Sequence, residues 1–173
     1  YAKEIVKRLR GHGYTVQVFL LNAATMGVPQ MRERCFFIAR MDAAWPDLVL
    51  KFEEPPIPFG ELFTTTDERS PLAPANAERW KETRIGLHPT AKSGNNFGFL
   101  TRASHTKVAP TLLSGQTFLA MQDTAEDASL NEYRMIGSYP ADYAFGDIPQ
   151  KYLIGMSVPP VMTAQIAHQI NLQ

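Results

Sequence analysis

The sequence has few features that would support a secreted, membrane-spanning or metal-stabilised protein. Its only cysteine, Cys35, cannot form an internal disulfide, and a single thiol does not make a structural zinc site. The four histidines show no metal-ligand spacing. No run of apolar residues approaches the roughly 18 that a membrane-spanning helix needs. We therefore expect a cytoplasmic protein that binds no metal and no membrane.

The chain also has no formal net charge at pH 7, because 17 Lys and Arg residues balance 17 Asp and Glu residues. This balance argues against binding to nucleic acid through bulk charge alone. The charges are unevenly distributed, however: residues 79–107 hold six cations and one acid, between acidic stretches at 53–68 and 123–132. Such a basic segment either faces phosphates or is a solvated surface of uneven charge, and composition leaves both readings open.

Apolar periodicity in the first 40 residues predicts an α/β arrangement. Apolar residues recur at helical spacing over 2–9, and Gly11 is a natural terminator. Two β-branched and aromatic runs then predict buried strands, TVQVFLL at 15–21 and RCFFIA at 34–39. The segment between them, 22–33, contains glycine and proline and is typical of a loop. Because both strands are almost continuously apolar, we expect both faces of the sheet to be covered.

Proline and polar residues divide the rest of the chain. Prolines at 46, 55, 56 and 58 predict a stiff linker. The segment from 59 to about 130 is rich in Thr, Ser, Gly and Asn, which predicts a small, irregular, partly β lobe. Ser157 precedes a proline pair as a helix N-cap would, and the apolar stripe that follows predicts a helix over 160–170. We expect one lobe built from 1–50 and 146–173, a linker at 51–58, and a small lobe with its return connection at 59–145.

The loop GVPQMRER at 27–34 is the most specific pattern in the chain. Arg32 and Arg34 enter a predicted strand just after Gln30, which lies in a proline turn. Their planar guanidinium groups place several fork-shaped donors at one sheet edge, an arrangement that suits phosphate oxygens and base edges. The alternative is a surface cluster of ion pairs through Glu33. Spacing alone does not distinguish the two.

Four longer segments resemble sequence blocks of one enzyme family and occur in the same order along the chain. The first, LNAATMGVPQMRERCFFIA, resembles a Gln-x-Arg-x-Arg block, and the last, IGMSVPPVMTAQIA, is similar to a block usually written Gly-Asn-Ser-Val-Pro. Between them lie APTLLSG and NEYRMIGSYPADYAF, which resemble segments that follow a target-recognition region. Together they resemble the C-terminal half of the DNA (cytosine-5) methyltransferases, and only about 61–98 lacks a match. The resemblance implies part of a Rossmann-like methyltransferase lobe with a small target-recognition lobe.

The resemblance also implies a reaction. In this family the target cytosine leaves the duplex, a cysteine thiolate adds at C6, and C5 takes the methyl group of S-adenosylmethionine. By position in the block, Arg34 would bind the flipped cytosine, Arg32 would steady the active-site loop and nearby DNA, and Gln30 would hold that loop and line the space around the base. Ser157 and Val158 would border the methyl donor.

The chain departs from the family pattern in several places. Met156 stands where the final block usually has Asn, and Arg134 lies one place earlier than the pattern places its arginine. The Gly-rich donor-binding turn, the Pro-Cys nucleophile loop and the Glu-Asn-Val segment are expected upstream of Tyr1. Cys35 lies in an apolar run and does not follow a proline, so we expect a buried neutral thiol and not the nucleophile.

The polar residues of the small lobe are the candidates for reading DNA. Side chains that suit groove edges and phosphates join Arg32 in this set: Asn95, Asn96, Arg102, Ser104, His105 and Lys107. The expected partners are double-stranded DNA and the missing N-terminal half of the same protein, with S-adenosylmethionine bound by the full-length enzyme and little or none by this part. Two alternatives stay open: a stand-alone DNA-binding module from a split or degenerate gene, and a piece with no function of its own.

Overall fold

The computed structural model describes residues 1–41, 46–63, 68–86, 100–115 and 118–171, and Asn95 and Asn96 lie outside these ranges. The chain begins with helix α1 (Ala2–Gly11), followed by strands β1 (Thr15–Asn22) and β2 (Glu33–Arg40). The two strands pair antiparallel along their whole length. Helix, strand, loop and strand therefore follow the predicted order, and the α/β class is confirmed.

One face of this hairpin packs against the last helix, α5 (Pro160–Asn171). Met162 and Ile166 lie on the buried side of α5 and contact the hairpin through Leu21, Phe36 and Ile38. The turn after β1 adds to the same core, because Ala23, Met26 and Val28 are fully or almost fully buried. This core joins the beginning and the end of the described chain.

The opposite face of the hairpin is largely open, and the expectation of a buried Cys35 is wrong. Cys35 is exposed and pairs with Leu20, whose side chain is 70% exposed. Helix α1 packs near the other end of β1, where Val16 is buried. An apolar run predicts strand formation, but it does not specify which of its two faces another element covers.

The middle of the chain forms a second sheet, of four short strands, beside a short helix. Strands β3 (Ser70–Pro71), β4 (Leu100–Arg102), β5 (Phe118–Ala120) and β6 (Glu126–Asp127) lie in the order β3-β6-β5-β4, with β4 parallel to β5 and the other pairs antiparallel. Helix α2 (Pro74–Glu82) packs against it through Trp80, whose indole N–H donates to the Met121 carbonyl at 2.8 Å. The partly β small lobe is therefore present.

Two further short helices join this sheet to the end of the chain. Helix α3 (Leu130–Ile136) begins at Ser129, which forms a reciprocal capping box with Glu132. Helix α4 (Gln150–Met156) places Ile154 in a core shared with Tyr133 and Ile136 of α3. The segment after 146 therefore contacts the small lobe as well as the hairpin core.

Ser157 ends α4 and does not begin α5, so the N-cap prediction is wrong. Its backbone N–H donates to the Leu153 carbonyl, and its hydroxyl donates to the Ile154 carbonyl, both at 3.0 Å. The residue thus satisfies acceptors at the C-terminal end of the preceding helix. Helix α5 begins at Pro160 as predicted, with proline in its first turn.

Gly155 lets α4 approach the extended segment between β4 and β5. A Cβ atom at this position would lie 2.3 Å from the Leu113 carbonyl carbon and 2.4 Å from Ser114 N. Both neighbours are backbone atoms, which cannot rotate away. The helix therefore packs backbone against backbone at this point.

Membrane-spanning helices are not found in the described part of the chain, where none is both long and apolar enough.

Gly155→Ala should destabilise the protein, because the methyl group would overlap the Leu113 carbonyl. We expect the free energy of unfolding to fall by about 2–3 kcal/mol, measured by urea denaturation. Gly11→Ala is the matched control: a Cβ at the end of α1 meets nothing within 4 Å, so its effect should be neutral or stabilising. Equal effects for the two variants would contradict the packing argument.

Candidate functional site

A cleft of about 620 Å³ separates the end of the hairpin from the small sheet. Such a volume is within the range of sites that enclose small molecules or a single nucleobase. Its walls come from both lobes and from the extended segment between β4 and β5: Asn22, Met31, Glu33, Arg34, Thr101, Pro110, Thr111, Leu112, Leu113, Phe118 and Leu119.

Arg34 contributes the guanidinium group in this cleft. It is the second residue of β2, and the strand holds its backbone through the pairing with Leu21. Its side chain is half-buried, and Nη1 donates to the Glu33 backbone carbonyl at 2.7 Å. Within the described residues Arg34 forms no ion pair with the Glu33 carboxylate, so the surface ion-pair alternative has no support in this geometry.

Arg32 has a different environment, because its side chain is fully buried at 1% exposure. Its Nη1 donates to the Leu112 carbonyl and its Nη2 to the Gly155 carbonyl, both at 2.7 Å. Nη1 also donates to Gln30 Oε1 at 3.2 Å. One guanidinium group therefore connects the loop before β2, the segment after β4 and helix α4.

Gln30 completes this buried contact network. Its Nε2 donates to the Ile136 carbonyl at 3.2 Å, and its Oε1 accepts from Arg32 and from the Leu112 backbone N–H at 3.3 Å. Both amide ends are thus bonded to other segments. Gln30 is 1% exposed and does not line the cleft, so the predicted role of lining the space around a base does not fit its position.

Burial lowers the pKa of Arg32 to about 10, and the nearby positive charge of Arg34 contributes to the same shift. At neutral pH the group remains protonated, since its pKa stays well above 7. Its hydrogen-bond acceptors are neutral oxygens, which leave the positive charge uncompensated. Arg32 joins segments of the fold and, at 1% exposure, has no surface left for DNA, while its loop-holding role in an active site stays a prediction.

A second cleft, of about 420 Å³, lies beside the first. It is bounded by Met31 and Pro110 on one side and by residues 101–104 and 106–108 of the small lobe on the other. Apart from Arg32, the residues that we predicted to contact DNA and that the structure describes lie in or beside this second cleft: Arg102, Ser104, His105 and Lys107.

Arg102 and Ser104 are held within the small lobe, so the prediction of DNA contact is not supported for them. The Arg102 guanidinium lies 4.2 Å from the Trp80 ring centroid, and it donates to the carbonyls of Gln122 and Thr83. Ser104 is 8% exposed and shares a hydrogen bond with the Thr106 hydroxyl. Both therefore help to build the lobe.

Lys107 and His105 keep their place as candidates. Lys107 is exposed at the edge of the second cleft. His105 is partly buried, with Nδ1 3.5 Å from Asp123 and its ring edge against Phe63. Of the two, Lys107 is better placed to meet a phosphate, while His105 packs against its neighbours.

Ser157 and Val158, which we predicted to border a methyl donor, offer few groups that could bind one. The Ser157 hydroxyl is bonded inward to α4, and Val158 is an exposed apolar side chain at 39%. Neither offers a free polar group for the sugar or the amino-acid part of such a molecule. The residues described here thus do not make a donor site by themselves. A group of three or more metal-ligating side chains is likewise not found within the described ranges.

The contacts that organise the site include residues that the sequence did not reveal. Leu112 and Gly155 accept hydrogen bonds from Arg32 through their backbone carbonyls, which any residue type possesses. The hydroxyl of Thr111 donates to the Met31 carbonyl and joins the two walls of the cleft. Only Gly155 carried a signal, as the glycine of the final block.

Comparison with known families and structures agrees with this architecture. Residues 1–55 match the model of the family described as C-5 cytosine-specific DNA methylase. No curated protein matches the chain.

Three solved methyltransferase structures have a similar fold. A protein from an E. coli prophage, named for DNA modification by methyl transfer, has a TM-score of 0.74 at 12% identity over 98% of this chain and 64% of its own. The Dnmt2 methyltransferase of S. pombe has 0.68 at 13% identity over 99% and 62%. The methyltransferase EhMeth of Entamoeba histolytica has 0.65 at 13% over 99% and 58%.

This chain therefore spans about three fifths of the length of the structures that it resembles. At such low identity the likeness concerns the fold. The first 55 residues match the C-5 cytosine-specific DNA methylases, and the chain as a whole has the fold of part of a methyltransferase.

Proposed function

We propose that this chain is the DNA-recognising part of a DNA (cytosine-5) methyltransferase, which transfers a methyl group from S-adenosylmethionine to C5 of cytosine in a specific DNA sequence. The observation that carries the proposal is the position of Arg34. Arg34 lines a cleft of about 620 Å³ between the hairpin and the small sheet, on a strand whose entry loop is held by the buried Arg32 and Gln30.

Arg34 would hydrogen-bond the ring of the flipped cytosine. Addition of a thiolate at C6 pushes electron density into the ring, and a cationic donor close to the ring stabilises that charge. One Arg34 nitrogen, Nη1, is bonded to a neutral carbonyl and not to a carboxylate. The positive charge is therefore available to a base in the cleft.

The nucleophile of this reaction is not Cys35. Neighbouring residues of a strand project to opposite faces, so the side chains of Arg34 and Cys35 diverge. Cys35 belongs to the open face of the hairpin and does not line the cleft. A thiolate that adds to a base held by Arg34 must come from another segment, which is consistent with a Pro-Cys loop outside this chain.

A second segment would also cover the open face of the hairpin. Val18 and Leu20 are 45% and 70% exposed, and β1 and β2 pair only with each other among the described strands. Two-stranded sheets with exposed apolar residues are marginally stable, and their open edges accept further strands. We propose that the N-terminal half of the enzyme packs on this face and supplies the nucleophile and most of the donor site, bordered by Ser157 and Val158.

The alternative of a stand-alone DNA-binding module rests on one observation. Each cleft has a cationic residue in its lining, Arg34 in the first and Lys107 in the second, and neither lining includes a cysteine. Such a module would bind duplex DNA and need no methyl donor. Activity measurements with and without the proposed partner segment separate the two functions.

The 173-residue chain should by itself transfer no methyl group to DNA. It supplies the base-binding arginine and the recognition lobe, but no nucleophile at the cleft and only the border of a donor site. Incorporation of radiolabelled methyl groups from S-adenosylmethionine into mixed-sequence duplex DNA tests this expectation, with a sample lacking protein as the reference. Incorporation above that reference would contradict it. Activity that appears when a segment with the nucleophile loop is added would favour the enzyme over the stand-alone module.

In the complete enzyme, Arg34→Ala should slow methylation far more than it weakens duplex binding. Loss of a charged contact to the activated ring costs about 2–4 kcal/mol in the transition state, or roughly 100- to 1,000-fold in rate. Single-turnover methylation and duplex affinity, measured at one salt concentration for wild type and variant, test the role. Near-equal single-turnover rates would mean that Arg34 is part of the scaffold.

Lys107→Ala provides the contrast. An exposed lysine that meets only a phosphate contributes to binding in every sequence context, so its removal should weaken all duplexes similarly and lower the salt slope by about one. Its single-turnover rate at saturating DNA should stay close to wild type. The two variants together separate base stabilisation from backbone contact.

A further inference from the structure

Met31 is an exposed apolar side chain between two buried polar ones. It is 55% exposed, whereas Gln30 and Arg32 are each 1% exposed. The usual pattern of burial is reversed along these three residues, since the polar side chains point inward and the apolar one points outward. An apolar side chain in such a place has a use when it meets a partner that is not water.

The backbone of Met31 is held from both sides. Its N–H donates to the Ala109 carbonyl at 2.8 Å, and its carbonyl accepts from the Thr111 hydroxyl. Gln30 forms a parallel bridge with Ala109, and the Arg32 guanidinium fixes the residue that follows. The thioether therefore projects from one of the most constrained backbone segments of the site.

Met31 also lies between the two clefts and lines both of them. On one side is the cleft of Arg34, which also contains the Glu33 carboxylate at its wall. On the other side is the cleft edged by Lys107. A duplex that places a cytosine beside Arg34 and a phosphate beside Lys107 must pass over Met31.

We propose that Met31 is an apolar wedge that enters the base stack next to the flipped cytosine and occupies the space that the base leaves. The inference rests on the proposed function, because it requires duplex DNA over the two clefts. A methionine cannot pair with phosphate and reads no hydrogen-bonding pattern, but its flexible, polarizable side chain fills irregular gaps and packs on ring faces. Apolar side chains of this kind insert between base steps in other DNA-bending proteins.

A wedge has a specific energetic signature. Unstacking and unpairing a base cost free energy, and a side chain that fills the gap recovers part of it. The wedge therefore contributes most where a gap exists and contributes little to an intact duplex. It also carries no charge, so it leaves the salt dependence of binding unchanged.

The test compares two sets of duplexes of the same randomised flanking sequence. In one set a central cytosine faces guanine; in the other it faces an abasic site, so no base pair opposes its extrusion. Affinities of the 173-residue chain for both sets are measured by fluorescence anisotropy at several salt concentrations. The variants are Met31→Ala, which removes the wedge, Met31→Leu, which keeps its apolar bulk, and Met41→Ala, a control at a methionine 74% exposed outside both clefts.

We expect the wild type to prefer the abasic set, and Met31→Ala to lose about tenfold in affinity for that set while its affinity for the paired set and its salt slope stay unchanged. Met31→Leu should recover most of the preference, and Met41→Ala should behave as wild type. Thermal melting should be the same for all four proteins, because neither methionine is buried.

Two results would overturn the inference in different ways. A wild-type preference for the abasic set that Met31→Ala leaves intact, or an equal loss on both sets, would remove the wedge and leave the proposed function standing. Failure of the wild type to bind either set would overturn DNA recognition by this chain and the wedge with it.

Discussion

The buried guanidinium group of Arg32 fixes the geometry on which the site depends. Removing a charge from water is costly, and hydrogen bonds to the charged group offset part of that cost. Nη1 and Nη2 of Arg32 are bonded, whereas Nε is buried without a partner among the described residues. Here the acceptors are backbone carbonyls of Leu112 and Gly155, which lie far apart in the sequence. A carbonyl cannot be moved without moving the chain that contains it. Because burial of this group requires hydrogen bonds, Arg32 holds three backbone segments together: the loop before β2, the segment after β4 and helix α4.

The same constraint explains why Met31 and Arg34 are placed as they are. With Gln30 and Arg32 buried, the residue between them projects outward, and β2 begins directly after Arg32. Arg34 then reaches the cleft from a backbone held by pairing with β1. Met31 and Arg34, both proposed to meet DNA, are thus positioned by two neighbours that do not meet it.

Sequence reasoning found the local part of this arrangement and missed the non-local part. The two strands, the last helix and the loop between the strands could be predicted, because apolar period and turn residues are local properties. The acceptors of Arg32 could not, since every residue has a carbonyl and only the folded chain selects Leu112 and Gly155. Cys35 was misplaced because an apolar strand does not identify its covered face, and Ser157 because an unpredicted helix ends there. Arg102 was assigned to DNA by its charge, whereas the structure commits its guanidinium to Trp80.

Arg32 and Arg34 differ in the number of their hydrogen bonds and in exposure, and these differences suit them to different roles. Arg32 has three bonds to neutral acceptors and no exposed surface, so it can serve only as a support. Arg34 has one bond to a neutral carbonyl and a partly exposed side chain in the lining of the cleft. Arg32 bonds to segments that form the walls around Arg34: Leu112 lines the cleft, and Gly155 packs against Leu113, which lines it too. A preorganised cationic donor stabilises developing charge more effectively than one that must reorient during the reaction. Under the proposed function, Arg32 would contribute to the chemistry by supporting the walls around Arg34, although it touches none of the reacting atoms.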